Sequence, residues 1–106
     1  MTLNNKTSTD RTTWEVNRVA VFSTAHMQES DKDKLETGDQ ATVVAYAYEY
    51  GFFVHLSPEV TESSLMNDGF SASFTRIYFD ALDEGMQFVR FDCDGLVYDD
   101  YRKFDW

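Results

Sequence analysis

The feature that constrains this chain most is an Asp-Gly pair set among alternating apolar residues near its end, MQFVRFDCDGLVYDDYRKFDW over residues 86–106. Gly95 accepts a positive φ and Asp94 tolerates one, so the pair predicts a two-residue turn between antiparallel strands. That register sets Cys93 opposite Leu96, Phe91 opposite Tyr98 and Arg90 opposite Asp99. Strand alternation then sorts the side chains into two faces. Val89, Phe91, Cys93, Leu96 and Tyr98 are expected inside. Arg90, Asp92, Val97 and Asp99 are expected outside, with Arg90 and Asp99 as a cross-strand charge pair. Phe104 and Trp106, large apolar groups at a terminus that would otherwise fray, are expected to dock.

Part of this stretch, FDCDGLV over 91–97, resembles the aspartyl-nucleophile motif of haloacid-dehalogenase-type phosphatases. In that family the motif opens the domain, ends in Thr, and needs a downstream Ser or Thr, a Lys and an acidic pair around Mg²⁺ and phosphate. Here Leu96 stands in the Thr position and little chain follows, so the hairpin reading prevails.

The rest of the chain supplies partners for such a hairpin. Residues 1–13 are polar without an apolar period and read as a flexible arm, leaving 14–106 as one α+β domain. VNRVAVFST, residues 16–24, reads as a first strand. Ser30-x-x-Asp33 resembles a capping box for a short, solvated helix that Gly38 stops. VVAYAYEY over 43–50 alternates with period two; Gly51 interrupts it, and an extended run follows from Phe52 to Leu56, closed by Pro58. A helix over 40–50 is the competing reading, since the alanines and Glu49 permit it. Residues 59–69 read as a loop. Phe74, Ile77, Tyr78, Ala81 and Leu82 recur at helical spacing within 71–84, with Gly85 as the stop. The order is β-α-β-β-α-β-β, a two-layer α+β sandwich with a mainly antiparallel sheet of about five strands and two helices.

Charge narrows the function classes. With 19 acids against 9 bases, the 106-residue chain carries a formal charge of −10. Residues 80–106 hold eight acids and three bases, and 29–39 hold five acids and two. Such a field disfavours nucleic acid and anionic membrane as partners and favours a basic protein surface, to which it can imitate phosphates. The single cysteine, Cys93, forbids an internal disulfide and reads as a small inward hydrophobe. No signal peptide, transmembrane run or lipidation motif is apparent, so a cytoplasmic location is expected.

Ser-Thr-Ala-His at 23–26, Tyr-Gly-Phe-Phe-Val at 50–54, the FD-x-DG ending and the terminal Asp-Trp at 105–106 resemble a small uncharacterised domain family of plasmids, integrative elements and phages. The resemblance spans about residues 16–106. It implies an accessory protein of a mobile element and carries no activity with it.

Chemistry-bearing residues are few. Ser23, His26 and Asp92 can be written as nucleophile, base and orienter; His26, His55, Asp92 and Asp94 can be written as a metal site. The chain lacks HxxxH, CxxC and calcium-loop spacings, so neither a metal nor another cofactor is expected. For His26, capping or hydrogen-bonding the strand-to-helix turn outweighs catalysis. His55 reads as a core or edge histidine. The leading expectation is a non-enzymatic protein whose Asp80, Asp83, Glu84, Asp99 and Asp100 occupy a basic site on a host nucleic-acid-handling defence complex, as in anti-CRISPR or anti-restriction inhibition. The alternatives are a small metal-dependent hydrolase centred on His26 and Asp92, and a homo-oligomeric module, such as a homodimer, that pairs residues 43–50 edge to edge.

Overall fold

Alternation of apolar residues at Phe52 and Val54, and again at Val89 and Phe91, places two strands with one face each in the core. The computed structural model describes residues 14–38 and 42–106, so the arm expected over 1–13 lies outside the described residues. The described elements are β1 (Val19–Ser23), a 3-10 turn (Thr24–His26), α1 (Glu29–Thr37), β2 (Val44–Tyr48), β3 (Gly51–His55), α2 (Glu62–Asn67), α3 (Ala72–Asp83) and β4 (Phe88–Asp92). They make a small α+β domain with a mixed four-stranded sheet of order β1-β4-β3-β2. β1 runs parallel to β4, while the β4–β3 and β3–β2 pairs are antiparallel.

The terminal hairpin does not form. β4 is a central strand, with β1 on one side and β3 on the other, so no edge is left for residues 96–98 to pair with. Gly95 serves close approach instead of a positive φ: a Cβ there would lie 2.7 Å from the Phe22 carbonyl oxygen. The turn is closed by Asp92, whose Oδ1 accepts the Asp94 N–H at 2.7 Å and whose carbonyl accepts the Gly95 N–H at 2.9 Å. The chain then crosses to the outer edge of β1, where the Leu96 carbonyl accepts the Ser23 N–H and the Tyr98 hydroxyl donates to the Val21 carbonyl. Cys93 and Leu96 are consequently exposed, against expectation, and the expected Arg90–Asp99 pair is replaced by Arg90–Asp92 and Lys103–Asp99.

α3 behaves as its periodicity predicts. Ser71 caps it by accepting the Phe74 N–H, and Phe74, Ile77, Tyr78 and Ala81 are buried against Phe52, Val54, Val89 and Phe91. The capping box of α1 lies two residues earlier than expected, at Gln28 and Asp31, and Gly38 ends the helix at φ 67°. Residues 59–69 are not all loop: α2 is a single capped turn and a half with Thr61 and Ser64 reciprocally bonded and Leu65 fully buried. Six residues with two adjacent apolar side chains carry no readable period, which is why the helix escapes pattern analysis. Residues 44–48 are strand, which excludes the competing helix over them.

Of the two residues expected to dock, Phe104 is half-buried and Trp106 stays 48% exposed, tied down by polar bonds more than by burial. The Phe104 N–H donates to the Ala25 carbonyl at 2.7 Å, and the Trp106 indole donates to the Met27 carbonyl at 2.8 Å.

Candidate functional site

α3 ends in Asp80, Asp83 and Glu84, and the C-terminal segment turns back over residues 99–101 beside it. Arg76 and Tyr101 join the two pieces. The Tyr101 hydroxyl donates to Asp80 Oδ2 at 2.6 Å, Arg76 Nη1 donates to the Asp100 carbonyl at 2.6 Å, and the Arg76 guanidinium stacks 4.2 Å above the Tyr101 ring. Asp83, Glu84, Asp99 and Asp100 are exposed and Asp80 is half-buried. Burial, then the bond to Asp80, push the Tyr101 phenol up to about 12, so it remains a donor to the carboxylate.

The acids on α3 sit where the helix disfavours them. A helix C-terminus carries partial negative charge, and no basic residue stands in the last turn of α3. Arg76, a turn before Asp80, lies 3.5 Å from its carboxylate; Arg18 reaches the Glu84 carbonyl, a main-chain atom, at 3.2 Å. Two grooves border this acidic end face. One of about 410 Å³ between α2 and α3 is lined by Met66 and Phe79 together with Glu62, Asp80 and Arg76; the other, about 120 Å³, is lined by Phe22, Met86 and Tyr101 with Asp80 and Glu84.

In the second acidic stretch, Asp31 is withdrawn from the surface. Asp31 is fully buried and accepts the Ser71 N–H at 2.8 Å and the Ser71 hydroxyl at 2.6 Å, anchoring the start of α1 to the start of α3. The length of α3 separates that anchor from Glu84, about 18 Å at 1.5 Å per residue.

Of the other singled-out residues, the β1–β4 register sets Ser23 opposite Asp92, and no hydrogen bond joins either to His26 among the described residues. His26 is fully buried, with Nε2 accepting the Tyr98 N–H at 2.8 Å and Nδ1 2.8 Å from the Arg102 carbonyl. These partners define the tautomer protonated at Nδ1. Ser23 Oγ accepts the Ala25 N–H at 3.0 Å and is likewise engaged. Asp92 lies on the other face of the sheet from Phe91; it accepts the Tyr48 hydroxyl and faces Arg90, and the Tyr48 and Asp94 bonds hold its carboxyl below the usual range. Asp92, Cys93 and Asp94 can bring a ligand atom each within 4.8 Å of one another, whereas neither His26 nor His55 joins them. Partial desolvation and these two carboxylates push the Cys93 thiol up, away from nucleophilic use. His55 is exposed beside Phe88.

Arg76 and Tyr101, which organise the acidic face, were not among the residues singled out from sequence. The i, i+4 spacing of Arg76 and Asp80 was a readable signal; the Tyr101 contact depends on a non-local fold.

Fold and site together define a small α+β domain in which Ser23 and His26 bond main-chain groups and Asp83, Glu84, Asp99 and Asp100 stay exposed. The chain belongs to the family of unknown function DUF5983, whose C-terminal domain matches residues 19–106. No curated protein and no solved structure matches it. Among the described residues, no helix is long and apolar enough to cross a membrane.

Proposed function

We propose that this domain is a non-enzymatic accessory protein of a mobile genetic element that inhibits a host nucleic-acid-handling defence complex of anti-CRISPR or anti-restriction type. It seats the acidic end face of α3 and the 99–101 turn on a basic protein surface, in the manner of a nucleic-acid mimic, and acts in the cytoplasm. The observation that carries the reading is the concentration of acid at the C-terminus of α3, where Arg18 reaches a main-chain carbonyl and no side chain pairs with Asp83 or Glu84 among the described residues. Asp83 and Glu84 oppose the helix dipole there with no basic residue in the last turn, a placement that lowers stability and therefore calls for another purpose. Of the flanking grooves, the smaller one, lined by Phe22, Met86 and Tyr101 with Asp80 and Glu84, combines apolar and acidic groups suited to the stem and head of an Arg or Lys side chain. Electrostatic capture of this kind is fast and salt-sensitive.

The test is inhibition of DNA cleavage by a panel of purified RNA-guided and restriction nucleases. The wild-type protein should inhibit at least one, and a variant carrying Asp83→Lys, Glu84→Lys and Asp99→Lys should lose that inhibition while keeping its circular dichroism spectrum. Equal inhibition by the variant would remove the acidic face from the account, and no inhibition across the panel would remove the defence target.

A further inference from the structure

The two outer strands of the sheet are finished differently. β1 has its free edge closed by the Leu96 carbonyl and the Tyr98 hydroxyl, at 2.9 and 2.8 Å. Among the described residues the free edge of β2 has no such hydrogen-bonded cover, although Lys32 and Glu36 of α1 line a groove with Ala47 and Tyr48. The ladder phase follows from two bonds at the ends of β3: Cys93 N–H to the Tyr50 carbonyl and Leu56 N–H to the Gln87 carbonyl, both 2.9 Å. Phe52 and Val54 therefore bond to β4, and Gly51, Phe53 and His55 bond to Tyr48, Tyr46 and Val44 of β2. The main-chain groups of Ala45 and Ala47 point away from the sheet. Among the described residues they meet no main-chain partner on that side.

An open edge is ordinarily blunted by a charge, a proline or a bulge. The β2 sequence VAYAY has none of these, and Val44 and Tyr46 are 52% and 58% exposed. Its pattern is also self-complementary, with large side chains at 44, 46 and 48 and alanine between them. We infer that β2 is a dimerisation edge, on which a second copy of this chain pairs its own β2 antiparallel about a twofold axis at Tyr46. In that register Ala45 and Ala47 of one copy exchange four main-chain bonds with Ala47 and Ala45 of the other. Tyr46 meets Tyr46, and Val44 meets Tyr48, on the face already carrying Phe53 and Phe88.

Charge selects the same occupant. A chain of net charge −10 repels its copy over most of its surface, so self-association needs a neutral strip. Residues 42–48 carry no charge and the nearest in the hairpin is Glu49 in the turn. The product is a continuous eight-stranded sheet with both acidic end faces left free, so the dimer and the inhibitor reading stand or fall separately.

The experiment is sedimentation equilibrium from about 1 µM to about 1 mM protein in about 0.15 M salt. The wild-type mass should rise from 12.3 kDa toward twice that value. Ala47→Pro removes an outward N–H and no ladder bond, and Tyr46→Lys sets two like charges across the axis. Each should weaken dimerisation tenfold or more with circular dichroism unchanged. A wild-type protein that stays at 12.3 kDa throughout overturns the inference, even if a foreign strand is later found on this edge. Dimerisation undiminished in a folded Ala47→Pro variant overturns the register.

Discussion

His26 is the residue on which the enzymatic and structural readings divide. It is the buried clamp that holds the C-terminal segment through two main-chain bonds, and truncation leaves the Tyr98 N–H and the Arg102 carbonyl unpaired. His26→Ala should therefore cost about 2–4 kcal/mol in urea unfolding. A hydrolase centred on this residue requires the opposite, a stability nearly unchanged. Tyr48 and Tyr101 act through their protons. Burial first, then the bonds to Asp92 and Asp80, push both phenols from 10.0 to about 12. A folded-state value above the unfolded one means a contribution fully present below about pH 10 and lost as pH rises toward 12. Alkaline melts should show this loss, and Tyr48→Phe should make it shallower; an unchanged slope contradicts the assignment. The part of this scale legible in sequence was the type of residue, not its partner. The expectation that His26 bonds its own strand-to-helix turn named the wrong partners, since both ring nitrogens face the C-terminal segment. That those bonds come from residues 98 and 102 depends on the route of the tail, which no local pattern encodes.

Elements with a strong period were readable, and elements defined by their neighbours were not. The face of α3 was legible because four of its five marked positions are buried; Leu82, the fifth, is half-buried. The β2–β3 pair was legible from alternation broken at Gly51, where a Cβ would fall 1.8 Å from the Phe91 carbonyl oxygen. The Asp-Gly turn misled because glycine answers two needs, positive φ and close approach, and a sequence does not distinguish them. Gly95→Ala should thus destabilise by about 2 kcal/mol or more, through the clash with Phe22, although the new residue suits an ordinary turn. A change within about 0.5 kcal/mol contradicts the close-approach role. At the end of α3 the expected sign reverses. Asp83→Lys and Glu84→Lys should each raise stability by about 0.3–1 kcal/mol by complementing the dipole. Thermal melts at low salt measure it, and a fall in stability would show that these acids hold the fold.

For the whole molecule, the excess charge was legible as a count, while its distribution required the fold. Asp31 is absorbed into the core at the start of α3, and the acids of α3 and the 99–101 turn gather at the other end around Arg76 and Tyr101. Five acids thus meet Arg76 and Lys103 at that end, and residues 42–48 carry no charge of their own. Central to the account is the claim that this acidic end exists for a basic partner at some expense of stability. The most direct measurement is an affinity capture from a host lysate carrying active defence systems, run in parallel with wild-type protein and the Asp83→Lys, Glu84→Lys, Asp99→Lys variant. The wild type should retain a basic nucleic-acid-binding protein at about 0.05 M salt and release it near 0.5 M, where screening is nearly complete, and the variant should retain none. Retention by both proteins alike, or retention by the wild type that raised salt does not weaken, would contradict it.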